Sequence, residues 1–425
     1  PGRGRPFHQW RVRHHLHRIP EYSGAEFKTS AYCRGLMEEF GYRITDYPGF
    51  TGFHGDLHID PSLPTIAFRA DMDGLEMHDM SEVAFKSTHE GMAHNCGHDS
   101  HMAIALTAAK FLAGHRERLR YNVRVIFQMA EEDMRVPGAE KMVELGCMKG
   151  VDEVYALHND GAMETGTIKF NQGAMSSWGS AWTLDVHGIS AHGSTPHKGL
   201  DAIREAVRII EDMDYIVAKR TSPFSPAVFG CGMINGGTIP NAVADHVQAR
   251  GTIRAMDAET DQILKNSFRD IIAQSELRGF KTTMVHAGYP AVENHAGACE
   301  RLLQAAAEVL PAECINAQGQ PMTGSEDFSY MINATPDRKG AMFFLGSGNQ
   351  AKGICNYLHA NPYYLDDDCL LIGAQIFVNL ATRRTWRVRE AAITHIMHPP
   401  TIWQVGRGGP PADPHPQQQG GGGYK

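Results

Sequence analysis

The sequence predicts an α/β fold: a mostly parallel sheet flanked by helices, interrupted by an inserted ferredoxin-like α+β module. Three observations carry this. Strand, helix and strand repeat through the first part of the chain, and polar residues gather where the strands end, as in a parallel sheet covered on both faces. Near Gln172 the order changes to β-α-β-β-α-β over about a hundred residues, the pattern of a ferredoxin-like unit. The chain then returns to helix, strand and helix. The expected organisation is 10–172 and 288–385 as two parts of one domain, 173–287 as the insertion, and 386–425 as an irregular or disordered tail.

From Gln9 to about Phe40 the pattern is helical, broken at Ile19-Pro20-Glu21-Tyr22-Ser23. Ser23 and Glu26 have capping-box spacing before the second helix. Thr65–Ala70 is a short apolar run ending in Asp71-Met72-Asp73-Gly74. A helix follows from about Ser100 to Arg118, with Met102, Ala105, Leu106, Ala109 and Leu112 as its apolar face. Strands are expected at Asn122–Met129 and Glu153–Leu157, the second ending at His158, with a helix at Gly138–Leu145 between them. In the insertion, Ser180–His187 alternates, setting Trp182, Leu184 and Val186 on one face. Helices at Leu200–Lys219 and Glu259–Arg278 and strands at 227–234, 243–254 and 282–286 complete it. A helix at Ala298–Leu310, a strand at Met342–Leu345 and a helix from Asp368 to Thr382 close the pattern.

A chain of 425 residues is longer than one core usually covers. The formal charge of −8 gives no footprint for nucleic acid or an anionic membrane, and no apolar run approaches a membrane span. Pro1 to Pro6 has no apolar stretch behind it, so no signal peptide is expected. The 8 cysteines are scattered, which suits reduced thiols in a cytoplasmic setting. Of the 23 histidines, His14, His15 and His17 read as surface residues.

The chemistry centres on His94-Asn95-Cys96-Gly97-His98-Asp99-Ser100-His101. On extended backbone, Cys96 and His98 would project to one side, and Gly97 lets the chain turn between them. A thiolate with an imidazole suits Zn²⁺ or another first-row ion; the plain alternative is a polar loop around a buried cysteine. Glu131-Glu132 is the second signal. Two adjacent carboxylates are costly together unless compensated, so one fits a metal ligand and the other a general base. His158 follows an apolar strand, and His359 stands in Tyr357-Leu358-His359-Ala360. Asp71 and Asp73 are either ligands or acceptors for the far N–H of a ligand histidine, and Asp99 is a further supporting candidate. In the insertion, His192 lies in a glycine-bounded loop and is placed to steady an oxyanion or contact substrate. Asn241 and Arg254 are candidates for binding a substrate carboxylate.

Together the motifs resemble the amidohydrolase branch of the aminoacylase-type metallopeptidase superfamily, which includes hippurate hydrolases, N-acetyl-diaminopimelate deacetylases and auxin-conjugate hydrolases. The resemblance runs from about His15 to Ala381. It rests on Leu16-His17-Arg18-Ile19-Pro20-Glu21, Arg69-Ala70-Asp71-Met72-Asp73, Cys96-Gly97-His98-Asp99, Gln128-Met129-Ala130-Glu131-Glu132, the His192 loop, Gly324-Ser325-Glu326-Asp327-Phe328 and Leu358-His359. It implies a catalytic domain interrupted by a lid module that usually dimerises, and a site for one or two divalent metal ions, with Mn²⁺ or Zn²⁺ expected. By position it implies Cys96, His98, Glu132, His158 and His359 as ligands and Glu131 as base. It also implies that His192 reaches the active site of a partner subunit, in a homodimer or larger homo-oligomer. The chain departs from the usual pattern at Met129, Asn95, Asp133–Pro137 and Asp337–Gly340.

The implied reaction is hydrolysis of a C–N bond in a small N-acyl amino acid or related amide, with Glu131 moving a proton from water to the leaving nitrogen. The alternative is an aminohydrolase that removes an amino group from an activated aromatic amine. Trp178 and Trp182 offer that alternative weak support, since Trp182 reads as core. A pure metal-binding protein has no need of a carboxylate such as Glu131 beside the ligands.

Overall fold

The computed structural model describes residues 8–134 and 136–382. The tail expected at 386–425 lies outside the described residues. The chain opens with α1 (Gln9–His17) and α2 (Phe27–Glu39), then β1 (Arg43–Asp46), β2 (Phe53–Leu57) and β3 (Thr65–Asp71). It continues with α3 (His98–Gly114), β4 (Asn122–Gln128), α4 (Gly138–Glu144), β5 (Glu153–Glu164), β6 (Ile168–Lys169) and β7 (Gly173–Ala174). The insertion holds β8 (Trp178–His187), α5 (Ala202–Arg220), β9 (Ala227–Gly236), β10 (His246–Ala255), α6 (Ala258–Leu277) and β11 (Lys281–Tyr289). The return path is β12 (Glu293–Asn294), α7 (Ala296–Ala306), β13 (Ile315–Asn316), α8 (Ser329–Asn333), β14 (Gly340–Gly348) and α9 (Cys369–Thr382).

The main sheet has the order β1-β2-β4-β3-β5-β14-β6-β13. Its centre, β4-β3-β5-β14, is parallel. Apolar side chains of β3, β4, β5 and β14 share one core with α3 and α9, from Val12 to Ala381. The second sheet, β11-β8-β10-β9, is antiparallel throughout. With its two helices it is the expected ferredoxin-like unit. Trp182, Leu184 and Val186 are buried in a separate core, where Trp182 stacks on Phe229 at 5.2 Å. Burying side chains of this size contributes roughly 1.5–3 kcal/mol each. Among the described residues, no helix is long and apolar enough to cross a membrane.

Several expectations are corrected. β1 and β2 were not foreseen, because β2 is fully buried yet carries His54 and Asp56 and so lacks an apolar alternation. Arg124 satisfies Asp56 with a fork of 2.7 and 3.1 Å. The Ser23–Glu26 pair is no capping box: the Ser23 hydroxyl donates to Asp73, and the Glu21 carboxylate accepts the first N–H groups of α2, from Lys28 and Thr29. β5 does not stop before His158 but runs to Glu164, because β14 pairs with it past that point. His17 is buried, its Nδ1 2.8 Å from Asp99, and His14 pairs with Asp367 at 2.7 Å while stacking on Phe85. Surface placement fails for His17, over which a carboxylate distant in sequence folds, while His14 is half-buried and His15 is exposed as expected.

Candidate metal centre

The site forms beyond the C-terminal ends of β3 and β4, where β3 no longer covers β5. β3 pairs with β5 only as far as Arg69 with Ala156, so His158 and Asn159 stand past that ladder. Cys96 and His98 do not share an extended strand. Gly97 between them takes φ +85°, and His98 is the first residue of α3. A Cβ at Gly97 would also meet the Asn159 side chain at 2.3 Å. Backbone conformation and space therefore both require glycine there.

These elements bring together Cys96, His98, Glu131, Glu132, His158 and His359. Donor atoms of Cys96, His98 and His158 lie within 4.8 Å of one another, and so do those of Cys96, Glu132 and His359. The thiol of Cys96 is 3.4 Å from His158 Nε2. His359 Nε2 is 3.2 Å and His98 Nε2 3.9 Å from Glu132 Oε1, and Glu131 Oε2 is 4.0 Å from His98 Nε2. Among the described residues, His98 Nε2 and Glu132 Oε1 are buried and find no partner in hydrogen-bond geometry. Such orphaned atoms are costly, and a cation between them removes the cost. One thiol, three imidazoles and one carboxylate are a ligand set for a borderline-soft divalent ion, so the residues fit the metal centre.

The three candidate histidines are fixed from behind. His98 Nδ1 donates to the Asp73 carbonyl at 2.9 Å, which turns Nε2 into the cluster. His158 Nδ1 donates to the Asn159 carbonyl at 2.8 Å. The His359 N–H donates to the Asn95 carbonyl at 2.8 Å, and the Asn95 amide donates back to the Ala360 carbonyl at 2.7 Å. Asn95, a departure from the usual pattern, thus holds the loop that presents His359.

The Glu131-Glu132 backbone is gripped on four sides. Ala130 takes φ +50°; its N–H donates to Glu26 at 2.8 Å and its carbonyl accepts from Gly138 N–H at 3.0 Å. The Tyr289 hydroxyl donates to the Glu131 carbonyl at 3.0 Å, and the Glu132 N–H to Asp73 at 3.0 Å. Burial and the nearby Asp73 push the fully buried Glu26 up to about 7.

Electrostatics mark the cluster as a cation site. Burial alone would lower His98, but Asp71, Asp73 and Glu132 outweigh it and raise it to about 10. Burial, with Glu326 and Glu132 nearby, pushes the Glu131 carboxyl well above the usual range. Burial, with Glu132 and Glu131 nearby, pushes the Cys96 thiol up as well. Acids gathered in a dry site favour a positive charge held among them.

The other candidates are placed as follows. Asp73 serves His98 and the Glu132 backbone, as described. Asp71 accepts from His101 Nδ1 at 2.6 Å and Arg69 at 2.7 Å. Asp99 is bound to Arg13 at 3.1 Å and His17 at 2.8 Å, so it ties α1 to α3 and holds no ligand. His192 and Asn241 are not brought to the cluster within this chain. His192 is exposed, with Nδ1 2.8 Å from the Ser194 hydroxyl, and Asn241 is exposed with its carbonyl accepting from Gly193. Arg254 is half-buried and donates to the Ser325 hydroxyl at 2.7 Å.

Sequence reasoning gave no role to Arg69, His101, Gln128, Asn159, Glu326 and Asp327. Arg69 lies fully buried beneath Glu131 and donates to Gln128 and Asp71, both at 2.7 Å, to Glu326 at 2.9 Å and to Asp327 at 3.2 Å. His101 bridges Asp71 and Asn159, both at 2.6 Å. It is three residues past His98 on a helix, and that spacing was a legible signal. The Arg69–Glu326 pairing had none, since 257 residues separate the partners.

The family model for Peptidase family M20/M25/M40 matches residues 67–383. The chain is 32% identical over 375 residues to the N-acetyl-L-cysteine deacetylase of Bacillus subtilis, covering 88% of this chain and 87% of that relative. It is 33% identical over 344 residues to the N-acetyldiaminopimelate deacetylase of Priestia megaterium, covering 79% and 88%. Its fold matches the crystal structure of a dinuclear metal binding peptidase of the M20 family from Bacillus subtilis with TM-score 0.74 and 26% identity, covering 88% of this chain and 96% of that one. The chain belongs to Peptidase family M20/M25/M40 and is a hydrolase of carbon–nitrogen bonds.

Proposed function

We propose that the chain hydrolyses the amide bond of a small N-acyl amino acid, with Cys96, His98, Glu132, His158 and His359 holding one or two divalent ions, Mn²⁺ or Zn²⁺. The observation that carries this is Glu131, a buried carboxylate set beside His98 and Glu132 of that cluster. An ion held by these residues would supply a polarised water of lowered pKa. Glu131 accepts a proton from the attacking water and delivers it to the leaving nitrogen. Burial and the neighbouring acids raise its affinity for a proton, and positive charge held by the five donors would counter that rise and leave the carboxylate free to accept one. The two deacetylase relatives support an acyl group on an amino acid nitrogen. Arg254, at the boundary between insertion and site, is assigned to the substrate carboxylate together with Asn241.

His192 is assigned to the developing oxyanion. Its exposure in its own chain supports a role in the site of a second copy, with residues 173–287 as the dimerising lid and 10–172 and 288–385 as the catalytic domain. The free state of all eight cysteines suits a cytoplasmic enzyme. The test is a panel of N-acyl amino acids and aminoaromatics, assayed with the metal-loaded enzyme. Release of free amino acid supports the reading. Ammonia from an aminoaromatic would replace it with a deaminase, and no turnover on either would overturn it.

A further inference from the structure

A second set of metal-ligating side chains lies on the inserted module. Asp185 and His187 project from the same face of β8, two residues apart. His246 opens β10 and pairs directly across from His187, while Gln248 pairs across from Asp185. The two imidazoles stack with centroids 4.5 Å apart and planes 17° apart. His246 Nε2 is 3.1 Å from Asp185 Oδ1, and one donor atom from each of Asp185, His187 and His246 falls within 4.8 Å of the others. Gln248 Nε2 donates to Asp185 at 3.2 Å and holds the carboxylate in place. Lys281 of β11 flanks His187 on its other side.

The position gives the cluster a consequence. His187 and His246 form the last rung of the β8–β10 ladder. Beyond it the two segments stay zipped: Gly188 N–H donates to the Asp245 carbonyl at 2.8 Å, and Val243 N–H to the Ala191 carbonyl at 2.8 Å. Gly193 N–H donates to the Asn241 carbonyl at 2.7 Å, and His192 bridges to Ala242. The histidine pair is therefore the foot of the two loops that carry His192 and Asn241.

We propose that Asp185, His187 and His246 form a further divalent metal site on the module, separate from the centre at Cys96, and that an ion there clamps the foot of these loops. Two imidazoles and a carboxylate suit a first-row ion such as Zn²⁺, with water in the remaining position. An ion shared across neighbouring strands restrains both, as any ligand bound only by the folded form does. The site stands on geometry alone and does not depend on the substrate reading above.

The test compares metal content per chain of the full-length enzyme after Zn²⁺ loading and gel filtration. Wild type is expected to carry one more ion than His246→Ala and than His187→Gln. Cys96→Ser lowers content by a separate, additive amount. Hydrogen exchange read on the same samples is expected to slow over 187–192 and 241–246 when Zn²⁺ is added to wild type, and to stay unchanged in His246→Ala. Equal content in wild type and both module variants overturns the site. An extra ion that leaves exchange over both segments unchanged overturns the clamp.

Discussion

His98 and His158 are buried and each held from behind by a backbone carbonyl, whereas His192 and Asn241 stand in exposed loops bonded mainly to each other's backbone. The difference teaches where each half of the chemistry is built. The proposed donors converge inside one chain, where the orphaned atoms His98 Nε2 and Glu132 Oε1 stand 3.9 Å apart. The loops are shaped but point outward, so their side chains need another surface to act on. Burial makes the first region electrostatically demanding, and exposure leaves the second nearly free of such cost.

The comparison breaks most sharply at Glu131. Replacing it with Gln is expected to lower kcat by about 10²–10⁴-fold, the usual scale of a general base, with metal content unchanged. A near-native rate would remove Glu131 from the proton path. Next is Arg69, whose loss strands Asp71, Glu326 and Asp327 together in a dry site. Arg69→Met is expected to cost about 3–5 kcal/mol in urea unfolding. A loss near zero would show that the network beneath Glu131 does not support it.

The module side is sharpened by His192→Ala. Turnover is expected to fall by about 10²–10³-fold, as when an oxyanion donor is lost. The melting temperature should stay put, because the side chain is exposed. Mixing this variant with Glu131→Gln should restore part of the rate if the two residues act across copies; no recovery would place His192 outside the partner's site.

The smallest effect is a pH dependence far from both regions. Burial alone would raise Asp56, but His54 and Arg124 hold its carboxyl well below the usual range. A depressed folded-state value gives stability that is present above the unfolded value of about 3.9 and is lost as pH falls below it. Acid unfolding followed by circular dichroism should therefore steepen below about pH 4. Asp56→Asn should flatten that slope, and an unchanged slope would assign it to other carboxylates.

How much was legible depends on how local the signal is. The β8–β11 module could be read because Trp182, Leu184 and Val186 alternate and the order of elements is enough to define the unit. The end of β5 could not, because a polar run at His158-Asn159-Asp160 looks like a loop until β14 is laid beside it. Gly97 was expected to allow a turn, but its left-handed φ and the Asn159 side chain against it belong to the folded backbone.

By itself the sequence determined the α/β class, the inserted module and the residue types able to bind a metal, since periodicity and donor chemistry are written locally. The tertiary structure alone decided that Arg69 sits beneath Glu131 among carboxylates from distant segments, that His101 spans Asp71 and Asn159, and that His17 lies inside. It also set His187 across from His246. Those facts depend on which distant segments meet, and the meeting is fixed by the packing of the whole sheet rather than by any stretch of chain.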